Sequence, residues 1–192
     1  MQISVVIPTY QRPALLSKCL KSLQSQLLNK REFEVIVVSD GPDQETAALV
    51  NKFTTLINIR YFALPQKKGP AAARNLGWLN AKASVVAFTD DDCKPDNFWL
   101  TAILSHADPN RAQAFTGRVI VPRSPRPTDY ELNTAGLETA CFVTANCACT
   151  KLALYVTGGF DERFSMAWRE DSDLEFKLLS HNIPVQRIDQ AV

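Results

Sequence analysis

The stretch "VVAFTDDDCKP", Val85 to Pro95, places a short apolar run directly before three consecutive aspartates. The first four residues have strand character, and after Thr89 come Asp90, Asp91 and Asp92. Because neighbouring carboxylates repel one another, this triplet needs a positive group close by. The stretch therefore predicts a buried strand whose end presents a carboxylate cluster and its counter-charge.

Strands and helices alternate through the first half of the chain. Apolar runs at 3–8, 33–41, 58–64 and 84–92 are each followed by a segment with apolar residues at helical spacing. Such alternation indicates a mostly parallel central sheet with helices on both faces. The predicted fold class is therefore α/β, with a single domain over residues 1–192.

The predicted strand ends carry the polar side chains. In open α/β sheets, ligands bind beyond the carboxyl ends of the strands. Thr9 and Tyr10 follow the first strand, Asp40 follows the second, and residues 90–92 follow the fourth. We therefore expect a binding site at this edge of the sheet.

A divalent cation is the simplest partner for the aspartate triplet. Mg²⁺ is typically bound by one or two carboxylates together with substrate phosphates. Along an extended chain, Asp90 and Asp92 face the same way and Asp91 points elsewhere. The alternative is a solvated acidic turn, or a helix N-cap formed by Asp96 or Asn97. The triplet alone leaves both interpretations open.

A helix that begins near Gly69 and Pro70 is a second candidate for binding an anion. Helix N-termini favour anions, and the arginine of the pair Arg74–Asn75 would add positive charge near this one. The segment therefore supports a phosphate-containing ligand at the same edge.

The second half of the chain is less regular. Residues 112–122 are predicted to form a strand, and the Pro-rich residues 123–133 a surface loop. Cys141, Cys147 and Cys149 do not have the usual spacing of a zinc site, so we interpret them as small buried residues of a strand.

Composition excludes several classes of protein. The net charge of +1 argues against a nucleic-acid partner. No apolar run is long enough for a transmembrane helix, and the first residues have no basic signal-peptide region. Five cysteines are an odd number without the density of a disulfide scaffold. These features predict a cytoplasmic protein.

The ordered motifs resemble family-2 glycosyltransferases with the GT-A fold, which bind nucleotide sugars. The resemblance rests on "SVVIPTYQRPALLSKCLKSL", "VIVVSDGPD", "GPAAARNLG", "VVAFTDDDCKP", "GGFDERF" and "WREDSDLEFKLL". It covers nearly the whole chain and implies a nucleotide-binding half at 1–105 and an acceptor-side half at 106–192. Such relatives usually continue past the last strand, so an end at Val192 indicates either a truncated chain or a minimal domain.

The resemblance implies roles for particular residues on the donor side. Asp92 is the expected ligand of Mn²⁺ or Mg²⁺, with Asp90 as a second metal or ribose contact. The expected nucleotide- and donor-binding residues are Pro8, Thr9, Tyr10, Arg12, Asp40, Gly69, Arg74, Asn75, Asp90 and Asp91.

The resemblance also implies the catalytic and acceptor-side residues. Asp171 is the expected catalytic base, and Glu170 is its neighbour, or the base if the alignment is off by one residue. Trp168 is expected to stack on an acceptor sugar, with partly buried packing as the alternative. Asn146 is expected on the acceptor side.

The implied reaction is metal-dependent, inverting transfer of a sugar from a nucleotide diphosphate, most simply a UDP-sugar, to an acceptor hydroxyl. The acceptor would be a glycan or a lipid-linked molecule, met in the cytoplasm or at the inner face of the membrane. One alternative is a non-catalytic nucleotide-sugar-binding module of a larger synthase. Another is a sugar nucleotidyltransferase, although its Gly-rich phosphate loop is missing from "PTYQRP".

Overall fold

The structure is a computed structural model, and it describes residues 1–192 apart from the side chain of Tyr130. Within these residues, seven strands form one sheet. The strands are β1 (Ile3–Thr9), β2 (Phe33–Ser39), β3 (Ile59–Ala63), β4 (Val85–Phe88), β5 (Ala114–Gly117), β6 (Cys147–Thr150) and β7 (Val185–Ile188). The helices are α1 (Pro13–Gln24), α2 (Gln44–Phe53), α3 (Pro70–Leu79), α4 (Trp99–Leu104), α5 (Asp129–Thr134), α6 (Lys151–Thr157) and α7 (Glu170–Ser180), with a 3₁₀ helix at Ala135–Glu138.

The sheet has the strand order β3-β2-β1-β4-β6-β5-β7. Its strands are parallel except for β6, which runs antiparallel to both β4 and β5. The predicted mostly parallel sheet is confirmed. Phe88, the last residue of β4, pairs with Cys147, the first residue of β6. The start of β6 therefore lies at the edge where the parallel strands end.

Helices cover both faces of the sheet, as predicted. The alternating residues Ile3, Val5 and Ile7 of β1 belong to the core under α1, α2 and α4. Val6, which points the other way, belongs to the core under α3, α6 and α7. Apolar side chains bury both faces of the sheet. Polar binding and catalytic groups therefore have to lie at the strand ends.

Helix α3 lies unusually close to β1. At Gly77 an added Cβ would clash with the side chain of Val6. A glycine at this position therefore allows close packing of helix on strand. Because α3 precedes β4 in the chain, its first turn starts at the carboxyl edge of the sheet, beside the strand ends that carry the aspartates.

Two predictions for the second half were wrong in detail. The strand predicted at 112–122 is limited to Ala114–Gly117. The predicted loop at 123–133 contains the start of α5, where Thr128 and Glu131 form a reciprocal capping box. In that box each side chain accepts a hydrogen bond from the other residue's backbone N–H, which stabilises a first helical turn even after a Pro-rich segment.

The cysteines of β6 and its approach differ in burial. Cys147 and Cys149 are buried in the strand, as predicted, whereas Cys141 is exposed and precedes it.

Over the part of the chain that the structure describes, no helix combines the length and apolar character needed to cross a bilayer.

Candidate active site

The ends of β1, β2 and β4 meet at one edge, as the sequence predicted. Thr9 pairs with Ser39 at the ends of β1 and β2, and Phe88 of β4 pairs with Val6 of β1. The segments that follow these strands therefore converge. They bring together the aspartate triplet, Asp40 and the first turn of α3.

The first positive partner of the triplet is Arg12, just before α1. Its Nη2 lies 2.6 Å from Oδ1 of Asp91, and its Nε donates to Oδ2 at 3.2 Å. Thr9 Oγ1 donates to the same Oδ2 at 2.6 Å. The Asp91 carboxylate is completely buried. Burial raises the pKa of Asp91 above its ordinary value, and the hydrogen bond from Thr9 and the charge of Arg12 counteract part of that rise.

The second positive partner is Arg74, in the second turn of α3. Its Nη2 donates to Oδ1 of Asp90 at 2.7 Å, and its Nη1 donates to Oε1 of Glu170 at 2.9 Å. The side chains of Arg74 and Glu170 are both buried. Burial alone would lower the pKa of the Arg74 guanidinium, but the two carboxylates outweigh burial and raise that pKa. The positive charge is therefore held firmly between Asp90 and Glu170.

Asp90 and Asp92 remain open to a ligand. Their side chains are 29% and 50% exposed, whereas Asp91 faces the interior. Among the side chains described, the single ion-pair contact of Asp92 is a long one, 3.4 Å from Oδ2 to Arg12 Nη1. The expectation that Asp91 points away from its two neighbours is confirmed by these exposures.

The open carboxylates fit a divalent cation that is completed by phosphate oxygens. Among the described residues, no group of three or more His, Cys, Asp or Glu side chains is arranged to hold a metal ion by itself. Mg²⁺ and similar hard cations need only one or two carboxylates when a nucleotide supplies the other oxygens. Asp92 and Oδ2 of Asp90 offer such a pair, since no described group donates a hydrogen bond to that Oδ2.

Asp40 holds the loop before α3. Its Oδ1 accepts hydrogen bonds from the backbone N–H of Lys68 at 2.6 Å and of Gly69 at 3.0 Å, and Oδ2 accepts from Gly69 at 2.9 Å. Gly69 has φ +103°, and an added Cβ there would lie 2.7 Å from Cα of Ser165. Asp40 and Gly69 therefore fix the entry to α3 against the 160–169 segment, and direct contact of Asp40 with a nucleotide stays a prediction.

The Tyr10 ring lies at the surface beyond β1. It is 39% exposed, and the Lys67 ammonium sits 4.0 Å from the ring centroid. A cavity of about 350 Å³ is lined by the next residue, Gln11, and by residues 42–45 at the start of α2. Pro8, by contrast, is buried within β1. Tyr10 is thus the exposed aromatic residue of "PTYQR", and the Lys67 ammonium covers one face of its ring.

Two predicted ligand residues, Asn75 and Asn146, are occupied by internal hydrogen bonds. The amide of Asn75 donates to the Phe160 carbonyl at 2.8 Å and accepts from Trp78 Nε1 at 2.9 Å. The amide of Asn146 accepts from Trp99 Nε1 at 2.7 Å and donates to the Ala191 carbonyl at 2.9 Å. Both asparagines fix neighbouring loops, and their contact with donor or acceptor stays a prediction.

The first turn of α7 carries the predicted base. Glu170 is buried against Arg74, while Asp171 is half-buried and accepts a hydrogen bond from Ser172 N at 2.8 Å. Trp168 is 62% exposed, so the alternative of partly buried packing does not apply to it. The guanidinium of Arg169 lies 5.3 Å from the centroid of the Trp168 ring system.

Comparison with known proteins identifies the family. A sequence profile described as Glycosyl transferase family 2 matches residues 4–164. The chain belongs to this family. The matched range of the family-2 profile includes the aspartate cluster with both of its arginines, and it ends before the acidic pair at the start of α7.

Curated relatives carry the same family character over longer chains. The validoxylamine A glucosyltransferase of Streptomyces hygroscopicus subsp. limoneus is 28% identical over 95% of this chain and 49% of its own length. The glycosyltransferase AglE of Haloferax volcanii is 34% identical over 51% of this chain and 33% of its own length. The chain thus spans about half the length of the first relative and matches a third of the second.

Solved structures of similar shape support the same fold. TarS 1–349 of Staphylococcus aureus superposes with a TM-score of 0.76 at 21% identity, over 98% of this chain and 58% of that one. The mannosyltransferase PcManGT of Pyrobaculum calidifontis, in complex with GDP-Man and Mn²⁺, gives a TM-score of 0.74 at 21% identity, over 100% and 55%. The predicted GT-A fold is confirmed.

No sequence pattern indicated the ion pairs that hold this site of the family-2 chain together. Arg12 and Asp91 are 79 residues apart, and Arg74 and Glu170 are 96 apart. Spacing along the chain carries no signal for partners so distant. The sequence predicted a positive group among the aspartates and favoured a metal, whereas the structure also supplies two arginines.

Proposed function

We propose that this chain is the donor-binding and catalytic domain of a metal-dependent, inverting glycosyltransferase. It moves a sugar from a nucleotide diphosphate, with a UDP-sugar as the first candidate, to an acceptor hydroxyl. The observation that carries the proposal is that the acids at one edge of the sheet differ in exposure and in their partners. Asp90 and Asp92 are open to a ligand, while Asp171 lies in the first turn of α7, which is tied to Asp90 through Arg74 and Glu170.

Asp92 and Asp90 are the proposed holders of Mn²⁺ or Mg²⁺. When bound, the metal supplies neutralisation of the negative charge that grows on the leaving diphosphate. Arg12 neutralises the negative charge of the buried Asp91. Asp92 stays exposed and can bind the metal. The presence of Mn²⁺ with GDP-Man in the PcManGT complex supports this assignment.

Tyr10 is the proposed surface for the nucleobase. Tyr10 is 39% exposed and can stack on a base through the face that Lys67 does not cover, and the Lys67 ammonium over the other face adds a positive charge. Asp40 and Gly69 shape the adjoining loop and set where the first turn of α3 faces the phosphates. The complexes of TarS with UDP and with UDP-GlcNAc support a uridine nucleotide as the first ligand to test.

Asp171 is the proposed base. A carboxylate within hydrogen-bond reach of the acceptor hydroxyl can take its proton as the hydroxyl attacks the sugar. The exposed Trp168 lies three residues earlier, and its ring can stack on a glycan acceptor and orient it for in-line attack. Trp168 lies just before α7 and Asp171 lies in its first turn, so an acceptor stacked on Trp168 would be near the proposed base.

Calorimetric titration of UDP tests this proposal, with GDP and dTDP as comparators, in the presence and absence of Mn²⁺. We expect UDP binding that depends on Mn²⁺ and that Asp92→Ala removes. Asp189→Ala is the matched control, because Asp189 is an exposed aspartate paired only with Arg187 among the side chains described. Failure of the folded wild type to bind any of the nucleotides would refute the proposal.

A further inference from the structure

We propose that Arg74 is a positioning residue. It holds α7, the helix that carries the proposed base Asp171, in a fixed position relative to the proposed metal ligands Asp90 and Asp92. This inference rests on the proposed function, because it assigns Arg74 a part in that reaction. Arg74 acts through Glu170, which it holds, and so determines where Asp171 stands relative to Asp90 and Asp92.

The contacts of Arg74 join two separate elements. One guanidinium nitrogen reaches Asp90 in the turn after β4, and the other reaches Glu170, the first residue of α7. The contact with Glu170 lies in the interior, since the two side chains are 3% and 4% exposed, whereas Asp90 is 29% exposed. Buried ion pairs with hydrogen bonds hold their geometry strictly, because a displaced partner would leave an unpaired charge in the interior.

Among the described residues, Arg74 is the polar partner from outside α7 that bonds to a side chain of its first turn. Its N-cap residue, Arg169, has φ +73° and makes no side-chain capping hydrogen bond. Three acids occupy the first turn, and Glu170 is the buried one. The ion pair with Arg74 therefore anchors the first turn, which includes Asp171, and fixes its rotation.

Asp171 and Asp90 share one electrostatic neighbourhood. The Cys147 thiol at the start of β6 is buried, and burial is the main reason that its pKa is raised far above the ordinary value. The charges of Asp171 and Asp90 also raise that pKa, and the charge of Arg74 lowers it. The Cys147 thiol is thus close enough to Asp171, Asp90 and Arg74 to be affected by the charge of each.

The chemistry of the link requires an arginine. A guanidinium presents donors in a rigid planar fork that can serve two carboxylates in different directions, while an ammonium is a single point charge. The fork is backed by Phe160, whose ring centroid lies 5.7 Å from the guanidinium carbon. The next residue, Asn75, holds the Phe160 backbone on both sides, donating to its carbonyl and accepting from its N–H. The fork therefore has a fixed support.

The consequences for Asp90 and Asp171 differ. Arg74 occupies Oδ1 of Asp90 and leaves Oδ2 for the metal, so its loss affects donor binding. The contact with Glu170 bears on α7 alone, so its loss affects turnover with little effect on donor binding. A merely structural ion pair would change neither quantity once the protein is folded.

The test is a double-mutant cycle with Glu170→Gln, Arg74→Lys and the double variant. For each protein we would measure the Kd for UDP with Mn²⁺ by calorimetry, and kcat and KM for release of nucleoside diphosphate from the donor sugar nucleotide. For Glu170→Gln we expect kcat to fall about 10- to 100-fold with the Kd within about twofold of the wild type. For Arg74→Lys we expect both a lower kcat and a weaker Kd, and the double variant to be no slower than Arg74→Lys alone.

The pH dependence of kcat separates positioning from proton transfer. If Asp171 is the base and Glu170 positions it, Glu170→Gln retains the acidic limb of the pH profile at a reduced plateau. Loss of that limb in Glu170→Gln would make Glu170 the base and overturn the inference. An unchanged kcat in Glu170→Gln would overturn it as well.

Glu34 and Arg60 provide the matched control, because they also form an arginine–glutamate ion pair with a fully buried carboxylate, although the Arg60 side chain is 27% exposed. Arg60 Nη2 lies 2.7 Å from Glu34 Oε2, at the opposite ends of the strands. We expect Glu34→Gln and Arg60→Lys to lower the melting temperature and to leave kcat within about twofold. A loss of kcat in these variants equal to that of Glu170→Gln would overturn the inference.

Failure of the inference and failure of the proposed function are distinguishable in one series. If the wild type turns over a donor, Asp171→Asn is inactive and Glu170→Gln is fully active, the function stands and the positioning role is refuted. If the folded wild type neither binds a nucleotide nor turns over a donor, the proposed function falls and the inference falls with it.

Discussion

Two networks of acids and arginines, each containing a fully buried carboxylate, lie at opposite ends of the same strands. At the amino ends, Glu34 of β2 accepts hydrogen bonds from Ser4 Oγ and Lys82 N at 2.7 Å each, and from Arg60 Nε and Nη2 at 3.0 and 2.7 Å. Arg60 Nη2 also donates to the Asn80 carbonyl at 2.6 Å. Every acceptor of Glu34 is in use. This is a closed network that joins three strands.

The network at the carboxyl ends is open. Among the described groups, none accepts a hydrogen bond from the buried Nε of Arg74, and Asp92 is half exposed. Four acids, Asp90, Asp91, Asp92 and Glu170, share the two arginines. A buried polar network that is not fully satisfied costs stability, so its persistence points to a role in binding or catalysis.

The largest effect that we expect beside the open network is on catalysis, at the residue that follows Glu170. Asp171→Asn removes the proposed base while keeping the shape of the side chain, and kcat should fall by about 10²- to 10⁴-fold. Asp173→Asn is a matched control two residues further along α7, where the aspartate pairs with Lys177. The measurement is release of nucleoside diphosphate at saturating donor. Equal rates for Asp171→Asn and Asp173→Asn would contradict the assignment of the base.

The largest effect expected from breaking the closed network is on folding. Glu34→Ala leaves Arg60, Ser4 Oγ and the N–H of Lys82 without their acceptor, and the free energy of unfolding should fall by about 3–5 kcal/mol. Urea unfolding followed by circular dichroism measures this loss. If the alanine variant does not fold, Glu34→Gln gives the smaller loss in the same direction. A change in Kd for UDP in the folded Glu34→Gln protein would contradict the separation of the two networks.

The sequence predicted the strands that carry both networks better than the networks themselves. The apolar runs at 3–8 and 33–41 correspond to β1 and β2, because composition and local period determine a buried strand. Thr128 and Glu131 also have the spacing of a capping box, which indicates a helix start. The prolines before them favoured a loop, so the first turn of α5 was not predicted.

The partners within each network could not be predicted. Arg74 was expected near a diphosphate, which stays a prediction, and the sequence did not indicate that Asp90 and Glu170 hold it. Which acid an arginine meets depends on strand order and on how α3 and α7 pack, and these are properties of the whole fold. The triplet predicted the need for positive charge, but the sequence left the source of that charge open.

A third effect concerns the loop that links the open network to the 160–169 segment. Gly69→Ala adds a Cβ at φ +103° against the backbone of Ser165, and the free energy of unfolding should fall by about 2–4 kcal/mol. At Gly158, φ is +75° but an added Cβ meets nothing within 4 Å, so Gly158→Ala measures the backbone strain alone. Gly136→Ala, with open space and no such φ, is the neutral control. If Gly69→Ala costs no more than Gly158→Ala, the close contact with Ser165 is not tight.

The smallest effect distinguishes both networks from a carboxylate that only caps a helix. Asp43 is the N-cap of α2, and its Oδ1 accepts from the backbone N–H of Glu45 and Thr46 at 3.1 Å each. Partial burial raises the pKa of Asp43, but the hydrogen bonds from Thr46 and Glu45 outweigh burial and lower it below the ordinary value of 3.8. A lowered folded-state pKa stabilises the protein above the unfolded-state pKa, and this stabilisation is lost as the pH falls through the folded-state value.

Asp43→Asn isolates that charge, because asparagine also caps a helix well. We expect the wild type to be more stable than the variant by up to about 1 kcal/mol at pH 7, from the carboxylate at the helix N-terminus. The difference should shrink toward zero as the pH falls below 3.8 and through the lowered pKa. Urea unfolding of both proteins at neutral and acidic pH measures it. A difference that grows on acidification would have the wrong sign for a lowered pKa, and Asp43 would then resemble the buried Asp91, whose pKa is raised.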